Sequence, residues 1–130
     1  MDDIAVVILA AGKGTRMKSD LAKVLHPVAG KSMVNHVVAC AEQITRDHIH
    51  LVVGHQADKV EAEVSRAHKA HFALQERLLG TGDAVKAALP MLDDSVRHVL
   101  VLYGDVPLIR SDTLKNLVDA HRKAGSALTV

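Results

Sequence analysis

At 130 residues the chain has room for one domain, and 48% apolar residues give that domain a core. Sixteen Lys and Arg against fifteen Asp and Glu leave a net charge of +1, without the basic excess of a general nucleic-acid or membrane-surface binder. With one Phe, one Tyr and no Trp the core has to be aliphatic, and the lone cysteine, Cys40, cannot form an internal disulfide, which points to a reducing, cytoplasmic setting.

Ile4-Ala5-Val6-Val7-Ile8-Leu9 is an unbroken apolar run, as expected for a strand buried on both faces of a parallel sheet. It follows two aspartates and is too short to span a bilayer, so it reads as neither leader nor anchor. The run enters a small-residue loop, Ala10 to Met17. Ser32 is a plausible N-cap for a helix through about Ile44, with Met33, Val34, Val37, Val38 and Ala41 on one face. Cys40 falls in this stretch and reads as inert core. Ile49 to Val53 predicts a second strand, and Gln56 to roughly Arg66 a second helix.

Phe72-Ala73-Leu74 predicts a short third strand, and Thr81 to about Leu89 a helix that Pro90 ends. Val99 to Leu102 is another fully apolar strand. Ser111 or Asp112 caps a helix through Lys123, which Gly125 closes. Ala127 to Val130 reads as the start of a fifth strand. Strands alternating with helices imply a doubly wound α/β sheet with right-handed crossovers. A strand with no continuation suggests the front part of a longer domain; a terminal edge strand is the alternative.

In open α/β sheets, ligands bind beyond the carboxyl ends of the strands. The loop after the first strand lies there. Gly12 and Gly14 let the backbone pass close to a phosphate or base, and successive N–H groups in such a loop form an anion-binding hollow. Lys13, Arg16, Lys18 and Lys23 add a cluster of cations suited to a polyphosphate. A tight surface turn is the alternative. A dinucleotide fingerprint fails because Met17 stands at its third glycine position and the second strand ends in Gly54-His55, without an acid. Gly30-Lys31-Ser32 imitates the end of a P-loop, but Leu25 stands where its first glycine belongs.

The strand Val99 to Leu102 delivers Tyr103-Gly104-Asp105-Val106-Pro107 to the same sheet edge. A carboxylate directly after a buried strand suits Mg²⁺, a hard ion that takes one or two protein oxygens and fills its other positions with phosphates and water. Gly104 leaves room for a ligand to approach. A basic glycine loop after one strand and Asp105 after another make a site for a metal–nucleotide complex. Between them, Gly80-Thr81 opens a helix whose N–H groups can meet a ligand, and Gln75 offers both a donor and an acceptor to a pyrimidine edge, although Gly-Thr-Gly is more often a simple helix cap. The nine histidines are scattered and suggest no metal site; His48 and His50 read as surface residues at a strand start. His26 lies near the candidate site and receives no role.

Together these residues resemble the sugar nucleotidyltransferases. Leu9-Ala10-Ala11-Gly12-Lys13-Gly14-Thr15-Arg16-Met17 looks like their signature. Lys23-Val24-Leu25-His26 with Gly30-Lys31, then Gln75, Gly80-Thr81 and Leu102 to Leu108, narrow the resemblance. It is to the bacterial bifunctional enzymes that are both N-acetylglucosamine-1-phosphate uridyltransferases and glucosamine-1-phosphate N-acetyltransferases, and it runs from about Ile4 to the last residue. It implies a Rossmann-like, doubly wound, mostly parallel sheet of the nucleotide-diphospho-sugar transferase type, truncated, with residues 1–130 as the N-terminal nucleotide-binding part of the uridyltransferase domain. The backbone of Leu9, Ala10, Ala11 and Gly12 would hold the uridine nucleotide, with Gly14 in the same loop. Lys23 would contact the phosphates, and Arg16 would neutralise the pyrophosphate leaving group. Gln75, Gly80 and Thr81 would read the uracil. Tyr103 and Gly104 would line the sugar-nucleotide cleft, and Asp105 would bind Mg²⁺.

The implied reaction joins UTP and N-acetylglucosamine 1-phosphate into UDP-N-acetylglucosamine and pyrophosphate, for cell-envelope precursors. The implied whole protein also acetylates glucosamine 1-phosphate with acetyl-CoA and trimerises through a left-handed β-helix domain absent here. The 130 residues alone are expected to be inactive and, through an open sheet edge, to self-associate. Two positions depart from the family: Ala22 stands before Lys23 where Pro is usual, and Asp83 where His is usual after Gly-Thr-Gly. The competing readings are another sugar-1-phosphate or guanine-nucleotide transferase, a non-catalytic nucleotide-binding module and a nicotinamide-dependent enzyme, the last disfavoured by Met17 and the end of the second strand.

Overall fold

The computed structural model describes residues 4–10, 23–45, 48–54, 56–74, 88, 90, 92, 96, 98–104, 112, 113, 115, 116, 119 and 120. Four strands form a parallel sheet: β1 (Ile4–Ala10), β4 (Ile49–Val53), β5 (His71–Leu74) and β6 (His98–Tyr103), in the order β5-β4-β1-β6. Four of the expected strands are present; β4 has the expected bounds, and the other three are slightly longer than their apolar runs, since Ala10, His71, His98 and Tyr103 also pair. Helices α1 (Met33–Ala41) and α2 (Ala57–Ser65) follow β1 and β4 in the chain.

Period-two alternation divides β1 between two cores. Ile4, Val6, Ile8 and Ala10 join Ile49, Leu51, Val53, Leu100 and Leu102 on one face, under Val34, Val37, Val38 and Ala41 of α1 and Val60 and Val64 of α2. Val7 packs on the other face with Val52, Ala73 and Ala88, and Leu9 and Val99 lie against them. The topology accounts for the division. The chain steps from β1 to β4 to β5 with its helices on the first face. It then reverses past β1 to reach β6, and a right-handed crossover in that direction lies on the opposite face. Ala88, helical in backbone and fully buried, sits there. Helical backbone at Asp112, Thr113, Lys115, Asn116, Asp119 and Ala120 agrees with the helix expected to begin at Ser111 or Asp112. The strand expected at Ala127 to Val130 lies outside the described residues.

Ser32 caps α1 as expected: its hydroxyl accepts from the Asn35 N–H at 3.3 Å. The helix ends at Ala41 rather than Ile44, because the chain tightens into i→i+3 bonds (Gln43 N to Cys40 O, Ile44 N to Ala41 O) that still bury Ile44. Asn35, 5% exposed, ties the two helices by donating from Nδ2 to the Glu63 carbonyl at 3.3 Å and its carboxylate at 3.0 Å. Cys40 is buried as expected, and burial pushes its thiol pKa up. Gln56, at the expected helix start, is the cap of α2 in left-handed backbone (φ 57°).

A small hairpin between β1 and α1, β2 (Pro27–Val28) with β3 (Lys31–Ser32), was not expected. Its two-residue turn places Ala29 (φ 52°) and Gly30 (φ 79°) both in the left-handed region, which matches the twist of adjacent strands. His36 Nε2 donates to the Val28 carbonyl at 2.5 Å and holds the hairpin to α1.

His50 corrects the expectation of a surface residue at a strand start. It is 3% exposed, because β4 lies between β1 and β5 and its second face is covered too. Its ring stacks on that of His71, directly opposite on β5, with centroids 5.0 Å apart. Burial, followed by the charges of His71 and His48, lowers its pKa to about 4. His48 itself is half-buried.

Candidate functional site

The sheet order locates the site. In sequence order the four strands stand third, second, first, fourth, so the direction of travel reverses between β1 and β6. At such a reversal the connections leave the carboxyl ends toward opposite faces and open a crevice for a ligand. The two segments singled out by their chemistry, the glycine loop and the acidic strand end, are the continuations of these two strands.

The register sets their relative height. Leu9 pairs with Tyr103, and one residue further Gly104 N–H donates to the Leu9 carbonyl at 3.0 Å. The carboxyl ends of β1 and β6 therefore stand side by side at Ala10 and Gly104. Leu9 packs against the second-face core and Ala10 is 1% exposed in the first, so both have their side chains engaged in the core. One acceptor position of the Leu9 carbonyl is already taken by the Gly104 N–H. Tyr103 is 43% exposed at the strand end.

Lys23 enters from a third direction. The chain between β1 and the hairpin makes a 3-10 turn at Lys23–Leu25, packed on α1 and α2. Val24 is 4% exposed in the first-face core, and the carbonyl of His26 accepts from Met33 N at 3.0 Å. The backbone of Lys23 is thus held beside the ends of β1 and β6. Of the other expected site residues, Ala11, Gly12, Gly14, Arg16, Gln75, Gly80, Thr81 and Asp105 lie outside the described residues, as do the two departures, Ala22 and Asp83.

Gly104 has a packing reason of its own. A Cβ there would meet Val24 Cγ1 at 3.1 Å, the Leu9 carbonyl oxygen at 3.2 Å and Ala10 Cβ at 3.5 Å. Its smallness admits the protein's own atoms, whatever it also admits of a ligand. Sequence reasoning named Gly104 and missed Val24, its neighbour in space; a small residue after one strand and an apolar residue after a cation were the available signs. Among the described residues no group of three or more His, Cys, Asp or Glu could hold a metal ion. No helix among them is long and apolar enough to cross a membrane.

A parallel sheet in this order, reversing between β1 and β6, is the nucleotide-binding arrangement of doubly wound α/β folds. The chain belongs to the MobA-like NTP transferase domain family, whose model matches residues 6–130. Bifunctional protein GlmU of Geobacter metallireducens is 54% identical over 130 residues, all of this chain and 27% of that protein. The chain thus spans about a quarter of that relative's length. A nucleotidyl transferase from Methanothermobacter thermautotroptrophicus shares the fold with a TM-score of 0.76 at 22% identity, over 92% of this chain and 58% of that one. Rv0371c of Mycobacterium tuberculosis H37Rv, in complex with manganese, superposes with a TM-score of 0.72 at 21% identity, over 93% of this chain and 60% of that one.

Proposed function

We propose that residues 1–130 are the nucleotide-binding front part of a uridylyltransferase domain that makes UDP-N-acetylglucosamine and pyrophosphate from UTP and N-acetylglucosamine 1-phosphate. The observation that carries this reading is the convergence of the β1 end, the Lys23 turn and the Tyr103-Gly104 end of β6 at one sheet reversal. The 54% identity to Bifunctional protein GlmU over the whole chain supports the choice of substrates, and its name supports a second activity elsewhere in the intact protein. Acetyl transfer, a trimer built by a further domain and a cytoplasmic location belong to the same proposal.

In the reaction, a phosphate oxygen of the sugar 1-phosphate bonds to the α-phosphorus of UTP as the bond to the β-phosphate oxygen breaks, releasing pyrophosphate. Chemistry of this kind depends on position and charge rather than on a protein nucleophile. The loop backbone from Leu9 to Gly12, with Gly14, holds the nucleotide. Lys23 meets the phosphates, and Arg16 takes charge that develops on the leaving pyrophosphate. Gln75, Gly80 and Thr81 read the uracil, while Tyr103 and Gly104 border the sugar side. Asp105 fits a hard divalent cation, since it follows directly on Gly104 at the crevice and supplies carboxylate oxygen. Manganese in the Rv0371c complex supports a divalent ion; Mg²⁺ is the one proposed. When bound, it neutralises phosphate charge that the protein's cations leave uncovered.

Asp105→Asn in the intact protein tests the reading. Turnover should fall by roughly a hundredfold or more, and Mg²⁺ should no longer tighten UTP binding in a calorimetric titration. The melting temperature should barely move. An unchanged Mg²⁺ dependence would reduce Asp105 to a turn residue.

A further inference from the structure

The chain reaches its candidate site from three places, and one apolar side chain joins two of them. The turn Lys23–Leu25 carries the proposed phosphate cation, and the end of β6 carries Gly104 and, next to it, Asp105. Val24 lies between them. Its side chain belongs to the first-face core with Ile8, Ala10 and Leu102, so the turn is anchored in the same cluster that fixes both strand ends. Its Cγ1 stands 3.1 Å from where a Cβ on Gly104 would be, which means that nothing larger than glycine fits beneath it without movement. Gly104 is in turn locked to β1 through its N–H on the Leu9 carbonyl. Beyond Val24 the turn is held by the His26 carbonyl on Met33 N and by His36 on the Val28 carbonyl, both contacts with α1.

We propose that Val24 is a positioning residue: its side chain, seated on Gly104, sets the distance between the Lys23 turn and the Gly104 end of β6. This rests on the uridylyltransferase reading, and deepens it by assigning the spacing of the Lys23 turn and the Gly104 strand end to a buried contact. Val24 does not touch substrate. It acts through Lys23, whose backbone it adjoins. A closely packed interior transmits such a displacement because it has little free volume to absorb it. A misplacement of about 1 Å at a reacting centre can cost on the order of a hundredfold in rate.

The experiment is a double-mutant cycle in the intact protein on Val24→Ala and Lys23→Ala, with Val60→Ala as a control for loss of an equally apolar core contact under α2. UTP binding, kcat and KM for each substrate are measured along with the melting temperature. Val24→Ala should lower kcat/KM for UTP by at least about tenfold and leave KM for the sugar phosphate near its original value. Val60→Ala should lower the melting temperature comparably and leave kcat/KM for UTP alone. In the Lys23→Ala background, Val24→Ala should cost little more, because two residues that act through one contact are not additive. Val24→Ile keeps a branched γ-carbon over Gly104 and should retain most activity. If Val24→Ala fails to fold, Val24→Thr takes its place in the cycle. Additive losses, or a Val24→Ala variant no worse than Val60→Ala, would overturn the proposal while leaving the nucleotidyl-transfer reading intact. A fully active Lys23→Ala would instead overturn the role given to Lys23, and the proposal with it.

Discussion

Acidification from pH 7 to 4 should cost this fold about 3 kcal/mol through His50 alone. The ring is 3% exposed, and neither of its nitrogens has a hydrogen-bond partner among the described residues. It lies against His71, and burial outranks the neighbouring charges as the cause that holds its pKa at about 4 against an ordinary 6.5. In the folded protein His50 is therefore neutral over a range in which the unfolded chain takes up a proton. Stability is at its full value above about pH 6.5, declines as the pH falls toward about 4, and loses nothing further from this group below that. The gap between the two values, at about 1.4 kcal/mol per pH unit, sets the size of the loss. Urea unfolding followed by circular dichroism at about pH 7.5, 6.5, 5.5 and 4.5 measures it directly. His50→Leu should flatten the dependence. At neutral pH it should be at least as stable as the original, since an apolar side chain replaces two buried polar atoms left without partners. The same pH slope in His50→Leu would show that other groups control acid unfolding.

Two further outcomes are expected. Ala29 occupies a left-handed position in a turn that favours Asn or Gly there, so Ala29→Asn should stabilise the fold by roughly 0.5–1 kcal/mol in the same urea assay, without effect on UTP binding. Arg16 can grip a phosphate with a planar, two-pronged contact that Lys cannot copy, so Arg16→Lys in the intact protein should cut turnover by about tenfold in a pyrophosphate-release assay; equal rates would place Arg16 away from the leaving group.

Much of the sheet was legible because β1 lies between other strands and is apolar on both faces, which leaves the run Ile4 to Leu9 with no polar interruption. What was not legible depends on neighbours distant in sequence. His50 is polar and second in its strand, and locally it looks like a surface residue; only the order β5-β4-β1-β6 buries it. The hairpin escaped because two-residue strands carry no periodicity and Ala29 is not a usual residue for its turn. For the candidate site, Lys23, Tyr103 and Gly104 were singled out by type and spacing, but the seating of Val24 on Gly104 joins segments on either side of most of the chain.

That contact also bears on why β6 settles in one register. Side chains on a strand alternate between faces, so a one-residue slip of β6 along β1 would exchange the two sets. Leu100 and Leu102 would leave the core under α1 and α2, and Val101 and Tyr103 would turn into it. A tyrosine ring would then have to occupy the space where even a methyl group on Gly104 comes within 3.1 Å of Val24 and 3.2 Å of the Leu9 carbonyl. The packing that rejects this slip is the packing that brings Gly104 level with the end of β1. Stability and site geometry are therefore coupled at this corner of the fold. A substitution that relaxes the core beneath Val24 should disturb the nucleotide end of the site before it unfolds the sheet, whereas an equal loss beneath α2 should only lower stability.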